Sequence, residues 1–182
     1  GFDAIACPVS RIEPCDVEIP SVYEGIIVTS PHALHGGIVQ RLAKDKPVFC
    51  VGKRAADAAE EAGLRVMFCA ADSNGLVQHL CSQVPKAHFL YLSGADIHAD
   101  LAQAGISVTR AVTYNAVALT SLPDAVLAAL RADAPCTALM TSARSSRIFA
   151  GLLKQHGIDG SSIRGVAMSP SVAAATEAAG IA

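Results

Sequence analysis

The chain has 182 residues, 52% hydrophobic and 16% charged, enough apolar surface for one large domain or two small ones to fold without a metal or disulfide framework, and too much for a disordered chain. Lys and Arg number 14 against 16 Asp and Glu, a formal net charge of -2, so no global cationic field exists to hold DNA or RNA backbones. Aromatics at 4% with no Trp leave no stacking platform for single strands, and every apolar run is far shorter than the roughly 20 residues that span a bilayer, so neither nucleic acid nor a membrane is expected as a partner.

Short apolar runs alternate with Ala-rich stretches of helical period, the pattern of parallel strands covered by helices. From the start of the chain a strand is expected at 3–7, another at 26–29, a helix at 31–44, a strand at 48–51 and a helix at 54–62. A strand at 65–69, a helix at 74–84, a strand at 88–92 and a helix at 97–104 follow. The last third reads as helix 123–132, strand 137–141, helix 145–156, strand 165–168 and helix 170–179. Gly63, Gly105, Gly157 and Gly180 each stand where a left-handed residue ends a helix. Two segments break the rhythm, 8–20 and 106–119. The second is rich in β-branched residues, nearly alternating and without helical period, so both are expected as extended connectors between lobes.

The strongest internal signal is a repeat. Ile26-Ile27-Val28-Thr29-Ser30 is answered by Ala138-Leu139-Met140-Thr141-Ser142 at an offset of 112 residues, each an apolar strand ending in Thr-Ser before a helix. The segment 47–64 aligns with 164–181 at an offset of 117, with Ala56/Ala173, Ala58/Ala175, Glu60/Glu177, Ala62/Ala179 and Gly63/Gly180 identical. One strand-helix-strand-helix pattern thus occurs twice, which predicts two similar α/β lobes rather than one large sheet.

In parallel sheets ligands bind beyond the carboxyl ends of the strands, where the next helix presents unsatisfied N–H groups and the positive end of its dipole. Those ends are Thr29-Ser30-Pro31, Gly52-Lys53-Arg54, Ser93-Gly94-Ala95, Thr141-Ser142-Ala143 and Ser169-Pro170-Ser171, all carrying a small residue, a hydroxyl or a Gly. Any one of the hydroxyls also suits a simple helix cap. The phosphate-loop, dinucleotide, nucleophile-elbow and zincin motifs are all missing. His32 and His35, three apart, lack a third metal ligand and read as a solvent-facing pair. The six cysteines show neither a C-x-x-C nor a zinc pattern. They read as reduced, packed thiols of a cytoplasmic protein, four of them in apolar strand-like runs. Tyr114 stands apart, in the extended run between lobes, where a phenol can act as a weak acid or hydrogen-bond donor or simply pack on a strand edge. No basic or apolar leader precedes the fold at Gly1, so no targeting segment is read.

The stretch Pro47-Val48-Phe49-Cys50-Val51-Gly52 with its Ala/Glu-rich helix ending Glu61-Ala62-Gly63, then Leu90-Tyr91-Leu92-Ser93-Gly94 and Val112-Thr113-Tyr114-Asn115-Ala116-Val117, resembles the uroporphyrinogen-III synthase family. The Thr29-Ser30-Pro31 and Ala167-Met168-Ser169-Pro170 turns share the likeness, which runs over essentially the whole chain. It implies an α/β fold of two similar lobes, each a parallel sheet flanked by helices, joined by a two-stranded β-ladder, with a cleft between. Lobe 1 would be discontinuous, 1–11 and 119–182, lobe 2 would be 18–112, and 8–20 and 107–118 would connect them. The family fold also begins with a strand and helix before what is here Gly1 and continues past Ala182 with another strand and helix.

The resemblance implies a lyase that cyclises hydroxymethylbilane to uroporphyrinogen III, inverting the last pyrrole ring with net loss of water, in tetrapyrrole and haem biosynthesis. No cofactor and no metal take part, and a monomeric, cytoplasmic enzyme is expected. Tyr114 matches the family tyrosine that assists departure of the hydroxyl. By the same matching Thr29, Ser30, Gly52, Lys53, Arg54, Gly94, Ser142, Ser169 and Ser171 would bind the substrate's carboxylates. Two positions depart from the family pattern. Ala55 replaces a common Thr and would remove a hydroxyl facing the cleft, and Ser93 stands where a basic residue often precedes the Gly. A two-lobed module that closes on a small anion without catalysis is the alternative reading.

Overall fold

The computed structural model describes residues 3–97, 100–132 and 134–181, and the chain divides into two compact units, Ile12–Ala116 and a discontinuous one of Gly1–Arg11 with Val117–Ala182. The contiguous unit is built on a sheet of six strands. These are β1 (Ser10–Pro14), β2 (Gly25–Val28), β3 (Pro47–Val51), β4 (Arg65–Ala70), β5 (Phe89–Gly94) and β6 (Val108–Ala118), in spatial order β1-β6-β5-β2-β3-β4. The β2–β3, β2–β5, β3–β4 and β5–β6 pairs are all parallel. Every residue of β2 and β5 is buried, as sequences without alternation must be when helices cover both faces.

The two faces carry different cores. On one, helix α1 (Lys53–Glu61) lays Ala55, Ala56 and Ala59 against Ile26, Val28, Val48, Leu90 and Leu92. On the other, helix α2 (Ser73–Gln83) lays Leu76 and Leu80 against Ile27, Phe49, Phe89 and Tyr91. Alternate residues of one strand thus serve opposite cores, as the two-residue side-chain period of a strand requires.

The discontinuous unit holds helix α3 (Asp124–Arg131), strand β7 (Cys136–Met140), helix α4 (Ala143–Gln155), strand β8 (Ile163–Ala167) and helix α5 (Pro170–Ala178). Its core gathers Met140, Phe149, Leu152, Leu153, Ile163, Val172 and Ile181 with Leu122 and Val9. The β7–β8 pair is parallel. It buries one face only, for Leu139 is 75% exposed and Val166 42%. The four helix-ending glycines all adopt positive φ, from +66 at Gly157 to +86 at Gly105.

The internal repeat reappears as strand register. In β2–β3 the partners are Ile26 with Val48, Ile27 with Phe49 and Val28 with Cys50. Their repeat counterparts pair identically in β7–β8, Ala138 with Gly165, Leu139 with Val166 and Met140 with Ala167.

Four expectations are corrected. No helix spans 31–44. Two short 3-10 turns, Pro31–Leu34 and Ile38–Arg41, stand there instead, separated at Gly36 and Gly37, whose φ values of +70 and +78 no α-helix accommodates. The strand at 3–7 is absent, since no described ladder pairs it, and β1 lies further along at Ser10–Pro14. The helix at 97–104 overlaps residues 98 and 99, which lie outside the described residues. The rest is a single turn, in which Asp100 accepts from the N–H groups of Ala102 and Gln103 and Gly105 closes it. The expected packing of the cysteines fails for two: Cys50 is buried, but Cys69 and Cys81 are exposed. No described helix is long and apolar enough to cross a membrane.

Candidate functional site

Because its strands run parallel, the contiguous unit presents the carboxyl ends of β2, β3 and β5 along one edge. Thr29 and Ser30 follow β2, Gly52, Lys53 and Arg54 follow β3 into α1, and Gly94 closes β5. Thr29 Oγ1 lies 3.2 Å from the hydroxyl of Tyr91, so its position is fixed from the core side. Ser30 caps the first 3-10 turn, its Oγ accepting from the His32 N–H at 3.3 Å. Gly52 precedes α1 with φ +81, a conformation a side chain resists, and leaves the start of the helix without a capping side chain. Lys53 holds an exposed partner on its own helix. Its Nζ donates to both oxygens of Asp57, at 2.7 and 2.9 Å, and that partner holds the ammonium pKa above its usual value. Arg54 is exposed beside it.

Tyr114 enters this edge through an irregularity in β6. The β5–β6 register runs Leu92 with Ala111 and Ser93 with Val112, then shifts so that Gly94 faces Tyr114. Ala111 and Thr113 are buried on the α1 side, the Thr113 hydroxyl donating to the Ala33 carbonyl at 2.9 Å. Strict alternation would send Tyr114 to the opposite face, and the bulge returns it to the core that holds Ala111. Its ring is half-buried there. Among the described residues its hydroxyl makes no protein hydrogen bond, and it is not sealed from solvent.

Two further side chains at this edge belong to no motif, one beside the Tyr114 ring and one at the end of β5. His32, read from sequence as half of a solvent-facing pair, lies edge-on to Tyr114 with ring centroids 5.8 Å apart, while its Nδ1 is 3.4 Å from Nε2 of His35. Three-residue spacing on a 3-10 turn eclipses the two imidazoles. Burial, then His35, then Arg54 hold the His32 pKa below its ordinary 6.5. Arg110 was overlooked because it sits mid-strand in no motif. Its Nε donates to Ser93 Oγ at 2.8 Å and its Nη2 to the carbonyls of Gly94 and Ala95, both at 2.6 Å. The position where Ser93 replaces a basic residue thus receives a guanidinium from the neighbouring strand. Ala55, expected to face the site, is 2% exposed and packed into the core, so its methyl removes nothing from this edge.

In the discontinuous unit the remaining candidates gather at the carboxyl ends of β7 and β8. Ser142 caps α4, accepting from the Ser145 N–H at 3.0 Å and donating to Ser145 Oγ at 2.8 Å. Ser169 caps α5, accepting from the Val172 N–H at 3.4 Å, with Ser171 Oγ 3.1 Å away. Behind them a buried pair, Ser146 and Thr176 at 2.8 Å, ties α4 to α5. These caps leave first-turn N–H groups and helix dipole ends pointing outward, an arrangement that receives carboxylates. Among the described residues no group of three or more His, Cys, Asp or Glu stands close enough to hold a metal ion.

Solved structures share this architecture. The uroporphyrinogen-III synthetase of Helicobacter pylori 26695 superposes with a TM-score of 0.63 at 18% identity, over 94% of this chain and 89% of that one. A mutant uroporphyrinogen III synthase of the extreme thermophile Thermus thermophilus superposes with a TM-score of 0.54 at 16% identity, over 96% of this chain and 79% of that one. Identities this low carry the fold and no more. No curated protein matches the sequence. The profile of the family described as Uroporphyrinogen-III synthase HemD covers residues 1–182, and the mixed α/β fold with its mainly parallel, helix-flanked sheet agrees with it: the chain belongs to the uroporphyrinogen-III synthase family.

Proposed function

We propose that the chain closes hydroxymethylbilane into uroporphyrinogen III, with Tyr114 as the proton donor and the strand-end loops of both units as the grip on the substrate. In this reading each unit is one lobe, and β1 and β6 form the connecting ladder. The observation that carries it is the Tyr114 hydroxyl, open to solvent and, among the described residues, without a protein partner, on a ring packed against the α1-side core beside loops rich in N–H groups.

The chemistry needs little else. The phenol gives its proton to the terminal hydroxyl, the C–O bond breaks, water leaves, and the pyrrole nitrogen's lone pair stabilises the azafulvenium cation. The substituted α-carbon of the last ring attacks that electrophilic methylene to give the spiro intermediate, the bond from the same α-carbon to the preceding bridging methylene breaks to leave a second azafulvenium, the free α-carbon of the turned ring captures it, and the proton lost from that carbon returns to the phenolate. Atoms and charge balance with one water lost. Holding a flexible octacarboxylate in the folded shape is a problem of positioning. Thr29, Ser30, Gly52, Ser142, Ser169 and Ser171 serve it through backbone N–H groups and hydroxyls, Arg54 through its charge, and Lys53 after leaving Asp57.

The test supplies freshly made hydroxymethylbilane to the protein and scores the III against the I isomer. The III isomer is expected; formation of the I isomer alone defeats the assignment.

A further inference from the structure

We propose that Gly94 is a positioning residue, whose missing side chain is the seat on which the Tyr114 ring lies. The proposal rests on the reading that Tyr114 donates the proton. Gly94 is absent from the residues of positive φ, so its backbone does not call for glycine. Its neighbour does. A Cβ at this position would stand 2.6 Å from Cζ of Tyr114, 2.8 Å from Cε2 and 2.9 Å from the hydroxyl oxygen. The phenol end of the ring therefore lies directly across the Gly94 Cα.

What would yield to a methyl group there is set by how the surroundings are tied. The Gly94 and Ala95 carbonyls are both held by Arg110 at 2.6 Å, and Ser93 Oγ donates to the same Gly94 carbonyl at 3.1 Å. The Ala95 N–H donates to the Tyr114 carbonyl at 3.0 Å, and Thr113 is anchored to Ala33. Backbone on both strands is pinned, whereas the phenol hydroxyl has no protein partner among the described residues. The ring is the part free to move, and the His32 ring is its edge-on neighbour at 5.8 Å between centroids. A side chain at 94 thus leaves the strands in place and turns the phenol off its line. The role differs from substrate binding: the Gly94 carbonyl is already committed to Arg110, and the residue acts through another.

The experiment is a pair of double-substitution cycles on the full chain. Gly94→Ala is expected to lower kcat by about tenfold or more while KM stays within about twofold, because proton transfer depends on donor placement. In the Tyr114→Phe background, where no phenol is left to misplace, the same substitution is expected to cost less than about twofold in kcat, a strong coupling between the two sites. An equal loss in both backgrounds, or a rise in KM instead of a fall in kcat, overturns the proposal. A second cycle reads stability by chemical denaturation and needs no turnover. Gly94→Ala should destabilise the chain that carries Tyr114 and not the Tyr114→Ala chain, in which the obstructing ring is gone. If Gly94→Ala prevents folding, the double variant should restore it, and a double variant that also fails to fold overturns the seat. Should the wild-type protein yield only the I isomer, the functional reading falls while the stability cycle still decides whether Gly94 holds the ring.

Discussion

A phenol is a weak acid, so its worth as a donor depends on where it is held rather than on how readily it ionises. Tyr114→Phe keeps the ring on Gly94 and removes only the proton, and kcat is expected to fall by about a hundredfold or more without vanishing, in line with the usual contribution of a general acid. Steady-state kinetics with the III isomer as product measures it. His32 adds a pH dependence. Its pKa is lowered in the folded chain, by burial first and then by His35 and Arg54, so below 6.5 the unfolded chain takes up a proton that the folded chain resists. Stability is therefore expected to fall as the pH drops from 6.5 toward the lowered value, modestly, because the imidazole is partly exposed and solvent screens it. His32→Asn should flatten that slope in urea titrations at several pH values. Tyr114 stood out in the sequence because its extended context matched a family pattern. Its neighbour His32 did not, because the eclipsing of residues 32 and 35 exists only on a 3-10 turn, and the run 31–44 reads as an ordinary helix until Gly36 and Gly37 are seen to break it.

The two helix starts at Asp72 and Ser142 separate capping from ligand binding. Asp72 accepts from the Gly75 N–H at 2.8 Å ahead of α2, and Ser142 does the same for α4. Removing either cap with Asp72→Ala or Ser142→Ala is expected to cost about 1 kcal/mol in denaturant unfolding. Only the second should also raise KM, since Asp72 has no part in the proposed grip. At the other strand junction, Arg110→Ala takes three donated bonds from the end of β5 and is expected to lower stability by about 1–2 kcal/mol. It should lower kcat as well, because the loop that holds Tyr114 in line loosens. Urea unfolding and turnover on the same preparation check both. The repeat in the sequence carried more than resemblance: with the two offsets, 112 and 117, it set which residues of β7 and β8 face each other. It could do so because strand register follows the apolar pattern of the buried face. The bulge that aims Tyr114 had no such trace, since one extra residue in an alternating run is indistinguishable from the run itself.

The two units have separate cores of unequal protection. In the contiguous unit β2 lies between β3 and β5 with all its residues buried, whereas β7 and β8 leave Leu139, Val166 and the following Met168 open, the last at 76% exposure. Amide hydrogen exchange followed by mass spectrometry is expected to show β7 and β8 exchanging well before β2 and β5, because opening begins where few apolar contacts must be broken. Uniform protection across both would count against it. Fold class and most elements were legible because continuous apolar runs and Ala-rich periods survive as local signals. Pairing partners were less so: residues 3–7 are as apolar as a strand, yet a strand exists only with a neighbour to bond. The boundaries between the units fall inside β1 and β6, and this has a consequence for how the molecule is made. The contiguous unit is one uninterrupted stretch that ends at Ala116, while the other is assembled from segments on both sides of it. The contiguous unit can therefore fold first during synthesis, with Tyr114 on its sheet, and the unit that bears Ser142, Ser169 and Ser171 closes its core only after the later segment has emerged.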